Sequence, residues 1–193
     1  MNMEIFRIIN NLANKNILMD ETMIFFSTCV PYIFMAILVL VFASGIVNKN
    51  GNYRKAAVNT FIITAINLLL NFLIGSIYYV DRPFVHNKVN LLFPHVEDAS
   101  FPSDHATGTM SIALGLQKYN KLVSKLLIGL SIIVGFSRVY VGQHYPMDVI
   151  GSYIIAFITN HFYNMKIRNS INNLYDKTEN KLLLKKGKKG TVT

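Results

Sequence analysis

At 193 residues the chain is long enough for one domain and short for two. Apolar residues make up 52% of it and charged residues only 15%, which sets it apart from ordinary soluble domains. The net charge of +9 gathers between the apolar runs and at the C-terminus, a distribution that fits a membrane and not nucleic acid; the single cysteine, Cys29, excludes an internal disulfide and any multi-cysteine metal site.

The chain opens with MNMEIFRIINNLANKN, in which Ile5, Ile8, Ile9 and Leu12 recur at helical spacing among polar residues. This reads as an amphipathic helix on a membrane surface; without a basic n-region, a long apolar core or a small-residue cleavage site, it does not read as a cleaved leader. Five apolar runs follow, at about 22–47, 56–80, 105–117, 122–141 and 146–165, and the ~20 residues needed to cross a bilayer as a helix make each a candidate span. Cys29, inside the first run, reads as a small buried hydrophobe. The second run carries Asn59, Asn67 and Asn71, the last two on one face, which suits hydrogen bonding between helices. The third is shorter, and its Gly108, Ser111 and Gly115 form a small-residue face for close helix packing. The expected fold is therefore all-α: a polytopic membrane helix bundle of about five transmembrane helices with an N-terminal interfacial helix. Residues 1–165 form the membrane domain and 166–193 a basic tail, with KLLLKKGKKG read as flexible.

Five spans place the termini on opposite sides. The segments 48–55, 118–125 and 166–193 carry 14 Lys and Arg, against 5 in 1–21, 81–104 and 138–148. The basic excess marks the cytoplasmic side, so the C-terminus is expected inside and the segments with Arg82, His105, Arg138 and His144 outside.

Three short segments sit at that outer depth: DRPF (81–84), FPSDH (101–105) and SRVYVGQHYPMD (137–148). Two arginines that stay protonated suit a phosphate. Ser103 is placed as a helix N-cap, and a helix N-terminus attracts anions. His105 sits in the first turn. His144 precedes Pro146, a good first helical residue, and Asp148 follows four residues later, within reach of one imidazole nitrogen; that contact fixes the tautomer and frees the other nitrogen to attack. Two histidines beside an arginine-lined anion site suit phosphoryl transfer, one attacking phosphorus and the other protonating the departing oxygen. No metal or other cofactor is called for, because the outer segments hold no carboxylate cluster of the kind that binds magnesium. His161, His86 and His95 read as interfacial residues.

These three segments resemble the tripartite signature of the type 2 phosphatidic acid phosphatase (PAP2) superfamily: Lys-x6-Arg-Pro, Pro-Ser-Gly-His and Ser-Arg-x5-His-x3-Asp. The third block matches in full, through Ser137, Arg138, His144 and Asp148. The second has Asp104 where glycine is usual, and the first keeps Arg82 and Pro83 but has Gly75 at the lysine position. Pro-Ser-Asp-His, the missing lysine and the run HVEDASFPSDHATG are similar to the bacterial branch of undecaprenyl diphosphate phosphatases associated with bacitracin resistance. The resemblance implies His144 as nucleophile, Asp148 as its orienting carboxylate and His105 as general acid. It implies Arg82, Ser103 and Arg138 as ligands of the phosphoryl oxygens, with Asp104 contributing through its side chain or only its backbone N–H. Lys88 is near in sequence to Arg82 and is a candidate substitute for the absent lysine, but it reads first as a solvated loop lysine. The implied substrate is an isoprenoid diphosphate lipid of the bacterial plasma membrane, with no nucleic-acid partner. Two other readings stay open: a phosphatidylglycerophosphate or phosphatidate phosphatase of the same superfamily, and a non-enzymatic anion-binding membrane protein.

Overall fold

The computed structural model describes residues 2–189, with side chains described through residue 181. Its elements are helices: α1 (Asn2–Asn10), α2 (Ile17–Thr28), α3 (Val30–Val47), α4 (Gly51–Ile77), the single turn α5 (Pro83–His86), α6 (Asp104–Gly115), α7 (Lys121–Tyr140), α8 (Pro146–Lys166) and α9 (Arg168–Lys189), with a 3-10 turn at Leu116–Lys118. Among the described residues α3, α4 and α7 are long and apolar enough to cross a membrane. With α6 and α8 they form a five-helix bundle.

α6 is the axis of that bundle, packed against α3, α4, α7 and α8. At 12 residues it is only about 18 Å long. Enclosed by protein, it needs small residues more than apolar ones. Ala106, Met110, Ala113 and Gly115 are buried, and a Cβ at Gly115 would lie 2.6 Å from the Thr60 hydroxyl of α4. Polar pairs bind the same helices, since hydrocarbon offers a lone amide no partner. Asn67 donates to Ser111 (2.7 Å), and Asn71 donates to Asp104 and Thr107 (2.9 Å each). The apolar core fills the other side of α6, where Val30, Phe34, Leu38 and Val41 recur along one stripe of α3 and meet Ile112, Leu116, Leu127 and Val134.

The structure departs from the sequence reading in three places. The first apolar run is two helices that meet at Cys29. Pro31 has no N–H to give Ser27, so the hydrogen-bond ladder is interrupted there, and Cys29 lies exposed on the bundle surface, not buried. The N-terminal helix does more than rest on a surface. Ile5, Ile8 and Leu12 face outward, whereas Phe6 and Asn10 are buried against the bundle. The Asn10 amide donates to Asn90 and Tyr140 carbonyls (2.9 and 2.8 Å) and accepts from the Asn90 N–H (2.9 Å).

Third, the segment after 165 continues as α9. It docks on α4 through Arg54–Glu179, Lys55–Asp176 (3.1 Å) and Asn59–Asn172 (2.9 Å). The helical backbone runs to Lys189, through most of the KLLLKKGKKG run read as flexible; residues 190–193 of the expected tail lie outside the described residues.

Candidate active site

Three pieces of chain converge at one end of the bundle. The long connection 78–103 between α4 and α6 brings Arg82, His95, Asp98, Ser100 and Ser103. The C-terminal turn of α7 brings Arg138, and the tight passage from α7 to α8 brings His144 and Asp148. That passage needs Gly142, which adopts φ +89° and whose Cβ would lie 2.8 Å from the Asn90 carbonyl oxygen. Pro146 then starts α8 as its first residue.

His144 is 1% exposed. Its Nδ1 lies 2.8 Å from the Ser100 carbonyl, which can only accept, so Nδ1 carries the proton. Its Nε2 lies 3.0 Å from Nη1 of Arg82, which can only donate, so Nε2 holds the lone pair. Two independent neighbours therefore fix the same tautomer. Burial, and then the charges of Arg82 and Arg138, hold the imidazole pKa well below 6.5 and keep it neutral.

The direct His144–Asp148 hydrogen bond expected from their spacing is not made. Asp148 Oδ2 is 3.7 Å from Nδ1. It accepts from the Ser100 hydroxyl (2.5 Å) and the Tyr145 N–H (2.9 Å). Ser100 thus stands between the pair, its carbonyl on the imidazole and its hydroxyl on the carboxylate. The i,i+4 relation brings the two groups close, but the helix begins between them, and the carboxylate turns to cap it.

Arg82 donates through Nε to Asp98 (2.7 Å) and through Nη1 to the Gln143 carbonyl (3.0 Å). Arg138, 2% exposed, donates to the Ser27 hydroxyl of α2 (2.8 Å) and to His95 Nε2 (3.1 Å). His95 uses its other nitrogen on the Val96 carbonyl (3.0 Å), and burial followed by the two arginines lowers its pKa. A polar chain results, hydrogen-bonded from Ser27 through Arg138 to His95 and again from Asp98 through Arg82, His144 and Ser100 to Asp148, with 4.0 Å between His95 Nδ1 and Asp98 Oδ1.

Ser103 occupies the N-cap of α6, but its hydroxyl caps nothing and is buried without a partner; Arg138 Nε is likewise unpartnered. The Ser103 N–H is taken by Ser152 (2.8 Å), whose hydroxyl is anchored on the Asp148 carbonyl (2.6 Å). His105, in the first turn of α6, is within electrostatic reach of Arg138, His144, His95 and Arg82. This end of the fold thus gathers the unpaired Ser103 hydroxyl, the Arg82 and Arg138 guanidinium groups, one with its Nε–H unpaired, and the first-turn amides of α6, donors of the kind an anion needs.

All seven residues singled out in the sequence lie at this end of the fold. Asp104 is exposed and held by Asn71, not by an arginine. Lys88 is exposed. The connection closes over Gly75, where a Cβ would meet the Ala99 Cβ at 3.0 Å and the Phe101 carbonyl oxygen at 3.4 Å, so little room is left for a lysine. Sequence reasoning placed His95 at the interface, whereas it contacts Arg138 in the polar chain; Ser27, Asp98, Ser100 and Gln143 were missed. These residues lie in an irregular connection, a turn or a remote helix, where neither periodicity nor spacing marks them.

An apolar cleft of about 240 Å³ leads away from His105 and Asp104 between α3, α4 and α6, past Tyr32, Met35, Leu68 and Gly108.

Comparison with known proteins gives a consistent result. The PAP2 superfamily model matches residues 56–170. The undecaprenyl-diphosphatase BcrC of Bacillus subtilis (strain 168) is 37% identical over 158 residues, 82% of this chain and 80% of the relative. The bacitracin transport permease protein BcrC of Bacillus licheniformis is 28% identical over 194 residues, 97% of this chain and 94% of the relative. Among solved structures, LpxE of Aquifex aeolicus superposes with a TM-score of 0.70 at 25% identity, covering 83% of this chain and 93% of its own.

Proposed function

The chain belongs to the PAP2 superfamily, and from that premise we propose that it is a membrane phosphatase that hydrolyses undecaprenyl diphosphate to undecaprenyl phosphate and inorganic phosphate. One observation carries the reading: a buried, neutral His144 whose Nδ1 proton is committed to Ser100, leaving the Nε2 lone pair turned toward the Arg82 guanidinium. A simple anion binder has no use for a neutral imidazole aimed at its cations.

Nε2 of His144 attacks the terminal phosphorus in line with the bridging oxygen. The P–O bond breaks, His105 protonates that oxygen, and undecaprenyl phosphate leaves. Arg82, Arg138 and the Ser103 hydroxyl hold the equatorial oxygens. Asp104 contributes only its backbone N–H, since its carboxylate would repel the anion. The phosphohistidine carries positive charge on its ring, which Asp148 offsets at 3.7 Å. Water, deprotonated by His105, then attacks phosphorus, the N–P bond breaks, and inorganic phosphate is released.

The apolar cleft beside His105 supports a lipid substrate, because a chain can lie there while its head group reaches the arginines. The distribution of basic residues, 14 against 5, supports an outward-facing site in a bacterial plasma membrane with α9 in the cytoplasm. An enzyme so placed recycles the wall-polymer lipid carrier and competes with bacitracin for the diphosphate lipid.

The test is phosphate release by purified protein in detergent with a chelator present. Undecaprenyl diphosphate, phosphatidylglycerophosphate and phosphatidate are compared by kcat/KM, with His144→Ala as control. Preference for the isoprenoid diphosphate, lost in the variant, is expected. Equal turnover of a glycerolipid would move the biology to lipid metabolism, and a fully active His144→Ala would end the phosphatase mechanism.

A further inference from the structure

At the other end of the bundle α8 and the 3-10 turn after α6 enclose a second cleft, of about 440 Å³. Its lining includes Lys118, Asn160, His161 and Asn164, with Leu114 and Phe157 on the apolar side. Asn160 follows Asp148 by twelve residues of α8, so the cleft lies about 18 Å from the catalytic end.

The amides here are oriented by a chain of donors and acceptors. Arg168 Nη1 can only donate, and it does so to Asn164 Oδ1 (2.8 Å). Asn164 must then present its NH2 on the other side, where it donates to Asn160 Oδ1 (2.5 Å) and to the Asn160 carbonyl (2.9 Å). Asn160 is left with its own NH2 unpartnered, although the residue is 4% exposed and lines the cleft. Each link forces the next, and a guanidinium at one end leaves a spare donor at the other. A buried donor without an acceptor is unfavourable, so a site with an acceptor in place is favoured.

We propose that this cleft binds a phosphate group, free or on a lipid head group, through Asn160 Nδ2, the Lys118 ammonium and the His161 imidazole. Lys118 supplies a mobile cation at the rim, and His161 and Asn160, adjacent on α8, supply donors below it. Leu114 and Phe157 border the same space, and Phe157 is exposed on the bundle surface, which suits a head group whose chains continue along the helices. The site is independent of the catalytic one, and its failure would leave the phosphatase reading untouched.

Binding is measured by native mass spectrometry of the full chain in detergent. Dihexanoyl phosphatidylglycerol, inorganic phosphate and dihexanoylglycerol are titrated into wild type, Asn160→Asp and Lys118→Gln. Asn160→Asp is isosteric and keeps the oxygen that accepts from Asn164 while removing the donor; Lys118→Gln touches only the rim and carries the test if the first variant folds poorly. Binding at the catalytic end is common to all three proteins and cancels in the comparison. Phosphatidylglycerol is expected to bind about tenfold more weakly to each variant, with phosphate release from undecaprenyl diphosphate unchanged. The same loss with inorganic phosphate would identify the group itself as sufficient, and a loss confined to the lipid would identify a head-group site. Variants that bind both probes as wild type does, or a loss that extends to the phosphate-free glycerolipid, would overturn the proposal.

Discussion

Asp148→Asn separates two accounts of how the carboxylate serves His144. If Asp148 fixed the tautomer by a direct hydrogen bond, the asparagine would scramble it. In the structure the Ser100 carbonyl performs that task at 2.8 Å, and Asp148 acts through charge at 3.7 Å. An asparagine oxygen can still accept from the Ser100 hydroxyl and the Tyr145 N–H, so the fold and the imidazole orientation survive. What disappears is one negative charge beside a ring that becomes positive in the proposed phosphohistidine. At 3.7 Å and an effective dielectric near 20, that attraction is about 4 kcal/mol, or about a thousandfold in rate. The loss falls on kcat, because the proposed phosphate ligands Arg82, Ser103 and Arg138 are unchanged; KM should move by less than about threefold. Steady-state phosphate release from undecaprenyl diphosphate measures both. Ser100→Ala is the companion: it keeps the carbonyl, removes one bond to Asp148, and should lower kcat by only about tenfold. An Asp148→Asn enzyme retaining more than about a tenth of wild-type kcat, or one whose defect lies wholly in KM, would refute the electrostatic account.

Other expectations follow from the same geometry. In the proposed mechanism His144 attacks as the neutral imidazole, and its pKa is held well below 6.5, so the acid limb of kcat/KM is expected below pH 6.5. Arg138→Gln removes one of the depressing charges and moves that limb upward; a wild-type limb centred at or above 6.5 contradicts this. Asn10→Ala strips three hydrogen bonds from the junction of α1 with the catalytic end and leaves buried groups unpaired. It should cost about 2–3 kcal/mol, read as a lower Tm by circular dichroism in detergent, and an unchanged Tm would mean that α1 is not docked in this way. Gly135→Ala places a Cβ 2.1 Å from the Tyr153 hydroxyl and 2.5 Å from Val149 where α7 meets α8. A loss of about 1–3 kcal/mol is expected in the same melt, and a stable variant would show that these helices are less closely packed.

Much of this protein is written locally in its sequence. The runs of apolar residues set the helices, because hydrocarbon leaves a backbone few other choices. Pro146 marks where α8 begins, and the spacing from Ser137 to Asp148 puts a cation, an imidazole and a carboxylate at one helix junction. The break at Cys29 was also available locally, through Pro31, but the unbroken hydropathy of 22–47 concealed it.

The partnerships within the site were decided elsewhere. The carbonyl that fixes the His144 tautomer belongs to Ser100, 44 residues away, and the hydroxyl that steadies Arg138 belongs to Ser27, 111 residues away. His95 looks in sequence like any histidine of a loop, and only the path of the connection 78–103 sets its ring against Arg138. Asp148 shows the limit most clearly. Spacing on a helix fixes distance along an axis, so the sequence could bring the carboxylate close to His144. Which of several nearby donors it accepts from depends on the chain that packs across it, and that competition is settled only when the helices assemble.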